Sequence, residues 1–164
     1  MRTNLGSTDE TIPQERERES LKDETRTAVD EARMVLPGVQ ALFGFQLIAV
    51  FNAGFERLPY EAKLAHLVSL GLVTTAIAFI MAPAAFHRIA ERGWVSRRLV
   101  DLTSNFLSCG MAMLMLGLAI EVALDTYVVL HAALWGVLVG IAIFMQYLFC
   151  WFVFPLTNRR GSAR

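Results

Sequence analysis

Four long apolar runs, separated by short polar segments, set the character of this chain. They cover roughly residues 34–55, 64–86, 102–120 and 128–156. A helix needs about 20 mostly apolar residues to cross a hydrocarbon layer of about 30 Å, and each run is long enough. The polar segments differ in charge. Basic residues number six before the first run, two after it, four after the second, none after the third and three at the end. Arginine and lysine collect on the cytoplasmic side of membrane proteins, so this alternation places both termini and the 87–101 segment there. The pattern predicts an all-α, polytopic membrane protein. Its four transmembrane helices form an antiparallel bundle, preceded by a cytoplasmic amphipathic helix.

The remaining segments follow from local composition. Residues 1–19, with the run Gln14-Glu15-Arg16-Glu17-Arg18-Glu19, are too polar to bury a core and read as a disordered cytoplasmic tail. Ser20, with Asp23 three residues on, suits a helix start, and Leu21, Ala28, Ala32 and Val35 share one face, giving a cytoplasmic helix over 20–33. It is either a solvated lead into the membrane or a surface that docks a protein partner. Pro37-Gly38 either kinks or restarts the helix where the membrane domain, 34–156, begins. Residues 157–164 form a cytoplasmic tail, and Tyr147 and Trp151 suit the inner aromatic belt. A cleaved secretory leader is not expected, because the first apolar run begins only near Met34.

Composition sharpens this frame. The 164 residues suffice for one domain, hydrophobic residues make up 55% of them, and the formal charge is zero. That zero conceals segregation, since residues 1–34 carry nine acids and six bases. Every basic cluster abuts an apolar run, so no basic face is available for nucleic acid. Cys109 and Cys150 fall inside the runs and read as small buried hydrophobes; they form neither a structural disulfide nor a metal site. No cofactor is expected.

Polar groups inside apolar runs point to function, because hydrocarbon offers them no partners. At the start of the third run's helix Asp101, Ser104, Asn105 and Ser108 fall within one helical arc, so this stripe must face other helices or water. Interhelical hydrogen bonding is one reading and an ion path the other. Asp101 and Glu121 bracket that run and both reach the interfaces, which leaves mid-bilayer without an ionisable group and argues against a single-chain antiporter. Gln40, Gln46 and Asn52 point in three directions and read as separate packing contacts. Gly136 and Gly140 form a GxxxG pattern for close helix packing. On the outer side, His66, His131, Glu121 and Asp125 are the candidates for a pH-sensitive cluster. His66 and His131 as haem ligands are a weaker alternative, with no second histidine pair to support it. At the inner end Glu31, Arg33, Gln40, His87 and Arg88 gather into a polar cluster, in which Glu31 and Asp101 would neutralise Arg33 and Arg88.

Two segments carry a resemblance: Glu31-Ala32-Arg33-Met34-Val35-Leu36-Pro37-Gly38-Val39-Gln40-Ala41-Leu42-Phe43-Gly44-Phe45, and Ala82-Pro83-Ala84-Ala85-Phe86-His87-Arg88. They resemble an uncharacterised bacterial family of small four-span membrane proteins, some of whose members carry an automatic sodium:proton antiporter label. The resemblance extends over most of the chain and implies a multi-pass protein of the bacterial inner membrane, with no established active site to carry over. The functional expectation is an oligomeric ion channel or transporter, with lipid and further copies of the chain as partners. The alternative is a non-conducting accessory or regulatory subunit that docks through its amino-terminal helix. No enzymatic motif is found.

Overall fold

The computed structural model describes residues 11–89 and 97–158; the side chains of most residues in 11–33, of His87 and of residues 97–101 lie outside the described set. The described chain is all-α: α1 (Thr11–Val50), a single turn α2 (Ala53–Glu56), α3 (Tyr60–Ile89), α4 (Arg97–Leu130) and α5 (Ala133–Leu148). A π-helical turn, Phe149–Val153, then leads into α6 (Phe154–Thr157). Three stretches are long and apolar enough to cross a membrane: Tyr60–Phe86, Leu102–Leu130 and Ala133–Thr157.

Four boundaries depart from the sequence expectation. α1 begins at Thr11 rather than Ser20, because Gln, Glu and Arg in its first turns are good helix formers. It also runs on through Pro37. Its apolar portion, Met34–Val50, stops short of a full span; at 1.5 Å per residue its 17 residues reach about 26 Å. Asn52 ends the run, because its side chain accepts a hydrogen bond from the Gly54 amide at 3.0 Å and starts α2 instead. The fourth departure is the largest. The outer loop expected at 121–127 is helical: α4 continues to Leu130, and the connection to α5 is His131 and Ala132. His131 makes this turn with a φ of 53°, its amide donating to the Tyr127 carbonyl at 2.8 Å. Histidine is among the side chains that visit this left-handed region most readily.

The packing between α3 and α4 follows from a repeat along the sequence. Buried positions on α3 are Ala62, His66, Ser69, Val73, Ala76, Ile80 and Pro83, alternating steps of four and three. That period of 3.5 keeps one seam facing a partner helix. α4 answers with Gly110, Leu114, Gly117, Glu121 and Leu124 at the same spacing. Following α3 from His66 to Ile80, one meets α4 from Glu121 back to Gly110. Gly110 and Gly117 have no side chain because Ile80, Val73 and the backbone of α3 occupy that space; a Cβ on Gly117 would lie 3.1 Å from Val73 and 3.3 Å from the Ser69 carbonyl. α1 lies against the pair through Val39, Leu42 and Phe43, which pack on the Val73, Ala76 and Leu114 core.

α5 is held by a different seam. Its buried residues are Gly136 and Gly140, the predicted GxxxG pair. A Cβ on Gly136 would come within 2.6 Å of the Ala123 carbonyl, and one on Gly140 within 2.7 Å of the Ala123 Cβ. The pattern thus serves packing within this chain, where small residues let backbones approach. Trp151, in the π-helical turn, packs back against the central core and meets the Tyr147 ring at a tilt of 43°, centroids 4.7 Å apart. Elsewhere α5 exposes Leu134, Trp135, Val137, Leu138, Ile141 and Met145. A contiguous apolar surface of this kind suits lipid or another protein rather than water.

Candidate functional site

The seam between α3 and α4 turns polar toward the α4–α5 turn, where His66 and Ser69 on α3 face Glu121 and Gly117 on α4. His66 is 1% exposed. Its Nδ1 lies 3.0 Å from Glu121 Oε1, and its Nε2 lies 3.1 Å from the backbone carbonyl of Gln46 on α1. The imidazole therefore ties three helices together. The Phe55 ring on α2 meets it edge to face at 5.2 Å. One turn deeper the network continues: Gln46 Nε2 donates to Ser69 Oγ at 2.8 Å, and Ser69 donates to the Gly117 carbonyl at 2.9 Å. Below it the core is the apolar set Val39, Val73, Ala76 and Leu114.

Two acceptors in this network are buried without a hydrogen-bond partner, Glu121 Oε2 and Gln46 Oε1. Unpaired buried acceptors are uncommon in native structures and each calls for an explanation. A recess of about 360 Å³ opens beside Glu121, lined by His66 and Asp125 and by Ala49, Asn52 and Phe55. Asp125 is exposed and sits one turn beyond Glu121 on α4. Among the described residues no group of three His, Cys, Asp or Glu side chains has the geometry to hold a metal ion.

The extension of α4 changes where Glu121 lies. Leu116 is midway between Leu102 and Leu130, the ends of the candidate span. Glu121 is five residues beyond it, about 7.5 Å along the axis at 1.5 Å per residue. The sequence reading placed this carboxylate at an interface because it ended the helix at Ile120. The structure instead continues α4 nine residues past Glu121, with His66 six residues into α3.

The other candidate residues are distributed differently. His131 occupies the exposed α4–α5 turn, and no contact joins it to His66. With both ring nitrogens of His66 engaged, the pair is not arranged as haem ligands. Of the stripe, Ser104, Asn105 and Ser108 are exposed and so do not face other helices of this chain; the Asp101 side chain lies outside the described residues. Arg88 is exposed at the opposite end of α3 from His66 and Gln40 is exposed on α1 six residues before Gln46, whereas the side chains of Glu31, Arg33 and His87 lie outside the described residues. Both cysteines are exposed rather than buried, because Cys109 and Cys150 fall on faces that no helix of the chain covers. Sequence reasoning missed Ser69 and misjudged Gln46. A single serine in an apolar run gives little signal; its spacing of three from His66 and four from Val73 was the available clue.

A model of a family of unknown function, DUF6328, matches residues 14–155. The chain belongs to that family. The matched stretch includes every residue of the polar network, from Gln46 to Asp125. No curated protein and no solved structure matches the chain.

Proposed function

We propose that this member of DUF6328 is a multi-pass transporter of small ions, with His66, Glu121 and Asp125 forming its ion-binding site. The observation that carries the reading is the partly buried His66–Glu121 contact at 3.0 Å within two candidate spans. Ionisable side chains at membrane depth are costly, and where they occur they mark ion and proton pathways. Glu121 also supplies a carboxylate within a candidate span, where proton and substrate can compete as coupled exchange calls for. Beyond the Gln46–Ser69 bond the helices close on the apolar core of Val39, Val73, Ala76 and Leu114, which favours a carrier that changes shape over a fixed pore.

The finer parts of the reading rest on sequence and packing together. Met34–Val50 joins α3, α4 and α5 as a fourth membrane helix; its contacts through Val39 and Gln46 support this. Both termini are cytoplasmic in the inner membrane of a bacterium, supported by the skew of arginine and lysine. The outward stripe Ser104, Asn105 and Ser108 gives a second copy a polar seam. Flux from liposomes holding the purified protein tests the function: ion-specific flux that Glu121→Ala abolishes is expected. Repeatable absence of flux with any small ion overturns it.

A second reading has its own support. The first half of α1 is rich in charge and precedes the apolar portion, which fits a docking helix of an accessory subunit. A stoichiometric partner that is lost when residues 11–33 are deleted, in a protein without flux, would favour it.

A further inference from the structure

The geometry points to one shared proton as a structural component of the His66–Glu121 contact, so that the outer recess is a proton-binding site whose occupancy holds α1, α3 and α4 together. The inference follows from counting donors. The Gln46 carbonyl can only accept, so the 3.1 Å contact requires a hydrogen on His66 Nε2. A neutral imidazole with that hydrogen has a bare Nδ1, whose lone pair faces Glu121 Oε1 at 3.0 Å. If Glu121 were also ionised, two acceptors would confront each other in a buried seam. The contact is attractive only when one more proton lies between them, as imidazolium with carboxylate or as neutral imidazole with carboxylic acid. Either way the pair carries no net charge, the state that a buried, partly desolvated site favours. A further proton leaves the contact in place, because a neutral carboxyl group still has an oxygen that accepts from Nδ1.

Losing the shared proton has the opposite effect. It leaves a net negative charge in the seam and removes the donor between helices α3 and α4. The other ionisable group on the recess is Asp125, also acidic, which raises the cost of that charge. α1 and α2 contribute Ala49, Asn52 and Phe55 among others, none of which ionises, so neither helix compensates it. Exposed Asp125 is one turn from Glu121 and gives the proton a route between recess and water. Deprotonation therefore separates Glu121 from His66 and admits water to the orphaned acceptors, Glu121 Oε2 and Gln46 Oε1. This holds whether or not the protein moves ions, since the latch is a property of the fold.

Spin labels at Phe51 and Val129, both exposed and outside the network, report the separation of α1 from α4 in the full chain with Cys109→Ser and Cys150→Ser. In phospholipid nanodiscs the distance distribution should shift to longer values as pH is raised. With Glu121→Gln it should stay short at all pH, because the amide donates permanently to Nδ1. A distribution that does not move in the parent protein, or that moves equally in Glu121→Gln, overturns the proposal. Should the variant fail to fold, proton counting on the unlabelled parent decides: isotope-edited infrared and ¹⁵N spectra of His66 at neutral pH must show either a carboxylic acid or an Nδ1 hydrogen. A bare Nδ1 beside a carboxylate would overturn it as well.

Discussion

The two ends of α4 treat polar side chains in opposite ways. Near its start, Ser104, Asn105 and Ser108 lie on the exposed side of the helix. In its second half, Glu121 turns into the seam and meets His66 at 3.0 Å. Both groups interrupt an apolar run, and by composition the serines and asparagine looked like the richer site. The difference is the partner. Glu121 sits on the 3.5-residue seam with Gly110, Leu114 and Gly117, opposite a histidine on the matching seam of α3. The stripe falls on the far side of that seam, exposed at its own level, while farther along the same face Ala119 and Ala123 receive α5. Polar residues in a span thus acquire a role from their phase relative to the packing seam, and their number says little about it.

Substitutions can break this contrast, and the largest effect belongs to the buried end. Glu121→Leu strands His66 in a seam built for a carboxylate. Losing one member of a buried pair costs about 3 kcal/mol, read as a fall in thermal unfolding in detergent. A near-silent Glu121→Leu would mean the pair is solvated like the stripe. Gly136→Ala should follow, at about 2 kcal/mol of overpacking. The added Cβ would meet the Ala123 carbonyl at 2.6 Å, and backbone cannot swing aside as a side chain can. The change tests whether α5 is fixed on the outer half of α4, close to Glu121. At the turn between them His131→Gly should stabilise by about 1 kcal/mol, since glycine adopts a positive φ without the cost that a side chain brings. The same unfolding assay reads it, and destabilisation would show that the imidazole makes a contact of its own. Smallest of all is Ser108→Ala, expected to shift stability of the single chain by less than about 0.5 kcal/mol. A larger loss that depends on protein concentration would reveal a second copy on the stripe and sharpen the contrast.

Much of the architecture was legible in the sequence for a simple reason. Long apolar runs bounded by charge have few solutions other than helices of spanning length, and three of the runs became such helices. Boundaries set by single polar residues were less readable. Glu121 and Asp125 looked like the start of a water-facing loop because acids usually end an apolar run; here they continue the helix to Leu130. Asn52 produced the reverse error, since its cap stops α1 inside what looked like one apolar run. The site itself was half visible. His66, Glu121 and Asp125 were grouped from the sequence, together with His131, but which of them touch depends on a contact across 55 positions of sequence. Gln46 and Ser69 were hidden by their chemistry, since a lone amide or hydroxyl in a span is as consistent with local packing as with a network.

A double-mutant cycle on His66 and Glu121 addresses the central claim most directly. Stabilities of the parent, His66→Ala, Glu121→Ala and the double variant are measured by unfolding in the same bicelles. If the two side chains are bound to each other in the seam, the double variant should be about as stable as the worse single one, with a coupling of about 1–3 kcal/mol. Losses that simply add would show that the two residues act apart, and would contradict the account.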